Sequence, residues 1–235
     1  VNQRGYVSTT VTTGSNEYTL DRWRVVTSGQ ALAFSTTSNL TTITLPVAGI
    51  EQVIEGLNIT SGTYTVSFVA AGDTVCTVDG VVKASGATFT LTGGTNATIK
   101  LTSAGGAGTV QLVQVELGSV ATDFEHRSYG EILADCQRYF YATETSKVIL
   151  GHVMYNHENR IALPDIISSM RATPSITAYT SNRSASGQLT EFSSGVSRAV
   201  NAVSGASKFG GGYIQASSGN WVNPVYLILD YDAEL

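Results

Sequence analysis

Between Tyr18 and Leu117 the chain is cut every few residues by Gly, Ser, Asn or Asp into short runs of alternating or β-branched side chains. Such runs are too short and too often interrupted for helices, and their spacing suits strands of a sandwich. The candidate strands are YTLDRWRVV, QALAFST, TTITLP, IEQVIEG, TYTVSFVA, TVCTVDG, ATFTLT, NATIKLT and VQLVQVEL. From Thr63 to Val69, the residues Tyr64, Val66 and Phe68 fall on one face and Thr65, Ser67 and Val69 on the other, the period of a half-buried strand. With no helical run among them, these strands predict two packed antiparallel sheets of the jelly-roll kind.

One segment breaks the pattern. In HRSYGEILADCQRYFYATE, the residues Ile132, Leu133, Cys136, Tyr139 and Phe140 recur at spacings of three and four, which draws an apolar stripe down a helix. Ser128 stands three residues before Glu131, a capping-box arrangement, so a helix is expected over 128–141. KVILGHVMYNHENRIALP, PSITAYTSN and WVNPVYLILDYDAEL then return to strand-like sequence around a Ser/Gly-rich middle, Ser181 to Gly219. Pro164 and Pro174 bracket PDIISSMRATP, which reads as a connection because proline lacks a ladder donor. Gly210, Gly211, Gly212 and Gly219 place tight turns or a surface loop near Tyr213 and Trp221. The fold expected is all-β: two β-sandwich domains, the N-terminal one jelly-roll-like over 1–118 and the C-terminal one over 119–235, joined by the short helix. Backbone between Gly118 and Arg127 is expected to be exposed to proteases.

Hydrophobic residues make up 42% and charged residues 13% of the chain, so a packed core is expected rather than disorder. A net charge of −5 argues against a nucleic-acid partner, which needs clustered Lys and Arg. No apolar run approaches the roughly 18 residues that span a bilayer, so no membrane insertion is expected. The opening VNQRGYVSTT lacks the apolar core of a signal peptide and reads as the start of a fragment. Cys76 and Cys136, the only two cysteines, fall in different expected domains and read as buried thiols.

Chemistry-bearing residues are sparse. The histidines are His126, His152 and His157; the last two point to opposite faces of a strand, which argues against a shared metal, and no cofactor is expected. No G-x-S-x-G nucleophile motif occurs. Paired carboxylates could form a glycoside-hydrolysis site, for instance Asp230 and Asp232, which share one strand face, although a solvated edge is the preferred reading. Trp23 reads as a core anchor ahead of a sugar-stacking platform. Trp221, beside Asn220 and Asn223, reads equally as a sugar contact and as part of a trimer seam.

Three stretches carry a resemblance: VNQRG with YTLDRWRV; VQLVQVELGSVATDFEHRSYGEILADCQRYFYA; and LPDIISSMRATPSIT with the terminal DAEL. Together they resemble the carboxy-terminal regions of tail-fibre or minor tail proteins of tailed bacteriophages and prophages, in which a carbohydrate-binding-module-like domain precedes a terminal receptor-binding domain. Asp123 stands where related sequences often carry proline. The resemblance implies a virion component of the distal tail, assembled in the host cytoplasm, homotrimeric, and associated with other phage tail proteins. It implies binding of bacterial surface polysaccharide or lipopolysaccharide during host adsorption and no catalytic residues. A purely structural connector and a polysaccharide depolymerase are the alternatives. Within that reading the glycan contacts are expected at Trp221, Tyr213, Asn220 and Asn223, with Tyr155 and His157 as further candidates, because an aromatic plane beside amide groups matches a sugar's apolar face and hydroxyl rim.

Overall fold

The computed structural model describes residues 2–143, 149–151, 153–154, 160–162, 169–180, 186–191, 197–204, 213–216 and 225–234. The chain is all-β, with one α-helix among the described residues, and divides into two compact units, Val1–Ser128 and Tyr129–Leu235.

The first unit contains β1 (Glu17–Tyr18), β2 (Arg24–Val25), β3 (Ala33–Thr37), β4 (Leu40–Thr44), β5 (Ile50–Ile54), β6 (Gly62–Ala71), β7 (Thr74–Val78), β8 (Val81–Lys83), β9 (Ala87–Leu91), β10 (Ala97–Ser103) and β11 (Thr109–Leu117). They form two antiparallel sheets, one of six strands in the order β1-β2-β5-β10-β7-β8 and one of five in the order β3-β4-β11-β6-β9. Side chains from both sheets meet in one core: Val25, Ile50, Cys76, Val78, Ile99 and Leu101 from the first, Val66 and Val110 from the second. This is the sandwich that alternation predicts. YTLDRWRVV is not one strand but the hairpin β1–β2, closed by Trp23 N–H on Leu20 O at 2.9 Å with Asp21 at φ 44°. Gly49, at φ 86°, lies where a Cβ would come within 2.2 Å of Leu101 O, so only glycine fits between β4 and β5.

In β11 the residues VQLVQVEL do not alternate strictly. Gln111 faces Val69 and Gln114 faces Ser67, so two residues of β11 oppose one of β6, and Leu112 has φ 50°. The bulge restores the pattern. Val110, Val113 and Val115 pack on the core while Gln111, Gln114 and Glu116 lie on the outer face.

The second unit opens with α1 (Tyr129–Gln137), followed by β12 (Phe140–Ala142), β13 (Ile149–Gly151), β14 (Val153–Met154), β15 (Arg160–Ala162), β16 (Ser175–Tyr179), β17 (Gln188–Glu191), β18 (Ser197–Ser204), β19 (Tyr213–Ala216) and β20 (Val225–Asp232). The helix expected over 128–141 is thus shorter. It ends in tight bonds from Arg138 N–H to Asp135 O and from Tyr139 N–H to Cys136 O, and Phe140 and Tyr141 join a ladder with Asp232 and Tyr231. Aromatic residues favour a half-buried strand, and pairing with β20 decides their conformation over the helical spacing.

The strands follow the order β12-β20-β17-β18-β19-β15-β14, with β13 and β16 also paired to β20. Their core is built from Met170, Ala178, Leu189, Ile214, Leu229, Tyr231 and Ala233. Where β12 ends, Thr143 N–H donates to Leu229 O at 2.9 Å, and the return bond from Leu229 N–H goes to the Thr143 hydroxyl at 2.7 Å. Thr143 is buried, so this hydroxyl satisfies an amide that water does not reach. Thr143→Val is expected to destabilise the second unit by about 1–3 kcal/mol, the cost of an orphaned buried donor, and Thr143→Ser by less. Urea unfolding of the two variants beside the parent protein measures the difference.

Candidate functional site

Of the glycan-binding candidates, Trp221, Asn220, Asn223, Tyr155 and His157 lie outside the described residues. The strands that carry them are described, and these fix where the segments attach. β15 is antiparallel to β19 with Arg160 opposite Gln215 and Ala162 opposite Tyr213, and β14 pairs with β15 through Met154 and Arg160. Met154 and Arg160, the attachment points of segment 155–159, therefore sit at the same end of the β15–β19 pair as Ala216, from which segment 217–224 departs. Tyr213 lies at the other end of β19, about 10 Å along the strand at its usual rise per residue. It is held between Ala162 of β15 and Ser204 of β18 and is half-buried, a strand position rather than a loop position. Tyr213 is therefore not brought to the shared attachment end.

Asp230 and Asp232 are on β20, which pairs along both sides, so the solvated-edge reading is corrected: the strand is central. Both side chains are half-buried, and one oxygen of Asp232 accepts from Glu234 N–H at 3.0 Å. Among the described residues, no three His, Cys, Asp or Glu side chains gather as a metal site.

In the first unit the recognisable VNQRG and YTLDRWRV stretches pack against each other. Gln3 N–H donates to Asp21 at 2.8 Å, and the Arg4 and Arg24 guanidinium groups lie 5.3 and 5.8 Å from the Tyr18 ring centre. Arg24 also pairs with Glu51 across the sheet, Nη2 to Oε1 at 2.6 Å and Nε to Oε1 at 2.8 Å. Trp23 is half-buried against the core. The motif is thus a fastening for the N-terminal segment, and its aromatic side chains, Tyr18 and Trp23, are both half-buried rather than standing clear as a sugar platform.

The arrangement that sequence reasoning missed is on the outer face of the five-stranded sheet. After Leu117 the chain turns back. Thr122 N–H donates to Glu116 Oε1 at 2.9 Å and its hydroxyl to Oε2 at 2.6 Å, while Glu125 N–H donates to Gln114 Oε1 at 2.8 Å. Gln114 Nε2 adds a bond of 3.1 Å to Glu116 Oε1. The Thr122 hydroxyl, followed by the Thr122 and Gln114 N–H groups, holds the Glu116 carboxyl below its ordinary pKa. These bonds therefore persist above the ordinary glutamate value and are lost as pH falls through the lowered one. Phe124 and His126 meet edge to face on this segment, with ring centres 5.1 Å apart. The signal was the bulge in VQLVQVEL, which alone places Gln114 and Glu116 side by side on the outer face.

From the turn between β6 and β7, Asp73 does similar work on the loop between β10 and β11. It accepts from the Ser103 hydroxyl and from Gly105 N–H, which hold its carboxyl below the ordinary range, and Ser103 Oγ accepts from Gly108 N–H at 2.8 Å. Neither carboxylate is raised toward neutral pH as a general acid requires.

Compared with known proteins, the sequence matches no family model and no curated protein.

Cys76 and Cys136 are both buried and in no disulfide. Burial in the sandwich core pushes the Cys76 thiol up to about 11. Its folded-state pKa is raised, so the stability it contributes is full below 9, its ordinary value, and is lost as pH rises towards about 11. A thiol reagent at pH 8 is expected to leave Cys76 unlabelled in the native protein and to label it only on unfolding; mass spectrometry of the labelled peptides reads this directly.

Proposed function

We propose that this chain is the host-facing end of a bacteriophage tail fibre, that it binds bacterial surface polysaccharide or lipopolysaccharide without cleaving it, and that it acts as a homotrimer alongside other tail proteins of the virion. The observation that carries the reading is the common end of β15 and β19, from which segments 155–159 and 217–224 both depart. In sequence those segments carry Tyr155 and His157, and Asn220, Trp221 and Asn223, and the residues to which they attach, Met154, Arg160 and Ala216, belong to one sheet. Binding residues concentrate in connections between strands of a scaffold, and an aromatic ring among amides suits a sugar. The resemblance of VQLVQVELGSVATDFEHRSYGEILADCQRYFYA to tail-fibre sequences supports the same reading.

The acidic residues support binding over hydrolysis. Asp21, Asp73, Asp79, Glu17, Glu116 and Asp232 each accept a hydrogen bond from a backbone N–H, an arrangement that pins loops, and for Asp73 and Glu116 the hydrogen bonds also favour the ionised form. A single sugar site of this kind is weak. Three copies on one trimer raise the apparent affinity for a repetitive surface by roughly 10²-fold or more when their spacing allows joint engagement.

Trp221→Ala is expected to lower adsorption to host cells by about tenfold or more, the loss of an aromatic contact repeated at each site. The variant must stay trimeric, which light scattering on parent and variant establishes. Unchanged adsorption, with binding lost only on deletion of residues 1–117, would move the site to the first unit.

A further inference from the structure

Segment 118–127, whose backbone is expected to be exposed, is attached to the first unit at three levels. At its start Gly118 N–H donates to Thr63 O at 2.8 Å, and the Thr65 hydroxyl donates to Gly118 O at 2.8 Å. In the middle, both oxygens of Glu116 hold Thr122, through its amide and its hydroxyl. Further on, Gln114 holds the Glu125 amide. The bonds at the two later levels reach back along β11, so the segment runs against the strand it has just left. Thr65, on the outer face opposite Glu116, is fully buried although its alternation points it away from the core. Burial of an outward threonine is what a strap lying over the sheet produces.

Two features make this more than a turn. The acceptors are side chains two residues apart on one face, and they reach that face because of the bulge at Leu112. The donors are spaced three residues apart on a segment with no ladder of its own. Beyond Gly118 the bonds to Thr122 and Glu125 come from side-chain acceptors, and a stretch held that way in contact with solvent opens at lower free energy than the strands beneath it. It is therefore a release point that leaves both sheets whole.

We propose that Glu116 and Gln114 form a latch that keeps the segment leading into the second unit folded back on the outer face of the five-stranded sheet, and that opening the latch lengthens the connection between the units. Latched, the chain is tied down as far as Glu125, and the free connection is short. Open, residues 119–125 release about 25 Å of extended chain, at the usual extended length per residue. The first unit thereby controls how far the second can travel from it. In a fibre end this is a mechanical device: pulling on the second unit loads the latch before it loads either core.

The test is chymotrypsin cleavage after Phe124 in the full chain under native conditions, read as the appearance of the fragment Val1–Phe124 by mass. Proteolysis there requires the strap to lift and extend. The parent protein is expected to be cut slowly, with Glu116→Ala and Thr122→Val each cut at least about fivefold faster, the scale of losing one hydrogen bond or more. Glu116→Gln, which keeps one acceptor oxygen, is expected to fall between. Urea unfolding of the first unit serves as the control, and if Glu116→Ala shifts it, Thr122→Val at an unshifted midpoint decides. Equal cleavage rates in the parent and Thr122→Val, or a parent rate equal to that of an isolated peptide of residues 118–128, would overturn the latch.

Discussion

β20 is hydrogen-bonded along both edges over nearly its whole length. Its C-terminal half lies between β12 and β16, and its N-terminal half between β13 and β17. A backbone buried on both sides has nowhere to place its amides except in neighbouring strands, and that requirement organises the unit. It draws Phe140 and Tyr141 out of the helical stripe and into β12. It explains why Thr143 contributes a hydroxyl where the ladder would otherwise fail. It also roots β17, and through it β18, β19 and β15, so the strands that carry the candidate glycan segments depend on β20 for their position. The first unit repeats the logic in β10 and β11, each paired on two sides and each lining the core between the sheets.

Charge is used sparingly, and largely for shape. Glu17 accepts from Thr13 and Gly14 amides, Asp79 from Thr98, Asp73 from Gly105, and Glu116 from Thr122. An ionised carboxylate on a backbone amide is among the stronger hydrogen bonds available at a surface, and it fixes a turn without needing a core. With 13% of residues charged, the chain relies for most of its polar side chains on hydroxyl and amide groups. Groups of that kind recognise neutral, hydroxyl-rich ligands through many modest contacts, which agrees with the proposed role on a repetitive glycan surface.

Much of the first unit was legible because period-two alternation and turn residues act locally. Tyr64, Val66 and Phe68 face inward as their spacing requires, and each candidate run holds a strand. VVK, which forms β8, escaped notice: the turn Asp79–Gly80, at φ 46° and 78°, closes a hairpin whose second arm is three residues long and exposed. The helix was overrun at its C-terminal end because aromatic residues at three- and four-residue spacing fit a stripe until a distant strand competes for them. The strap was invisible for a different reason. It depends on a bulge that shifts register in one strand, on two side chains beyond it, and on donors with no periodicity of their own. The candidate site in the second unit was legible as residue chemistry only, since the ends to which its segments attach follow from the register of β15 against β19 and not from composition.

The central claim is that this chain binds bacterial surface glycan and leaves it intact. The most direct measurement is retention of the purified, trimer-verified chain on an array of bacterial surface polysaccharides and lipopolysaccharides, with reducing ends assayed on the same spots. The account predicts selective retention on at least one glycan with no reducing ends released. Retention on none of them by a correctly folded trimer, or release of reducing ends wherever the chain binds, would contradict it.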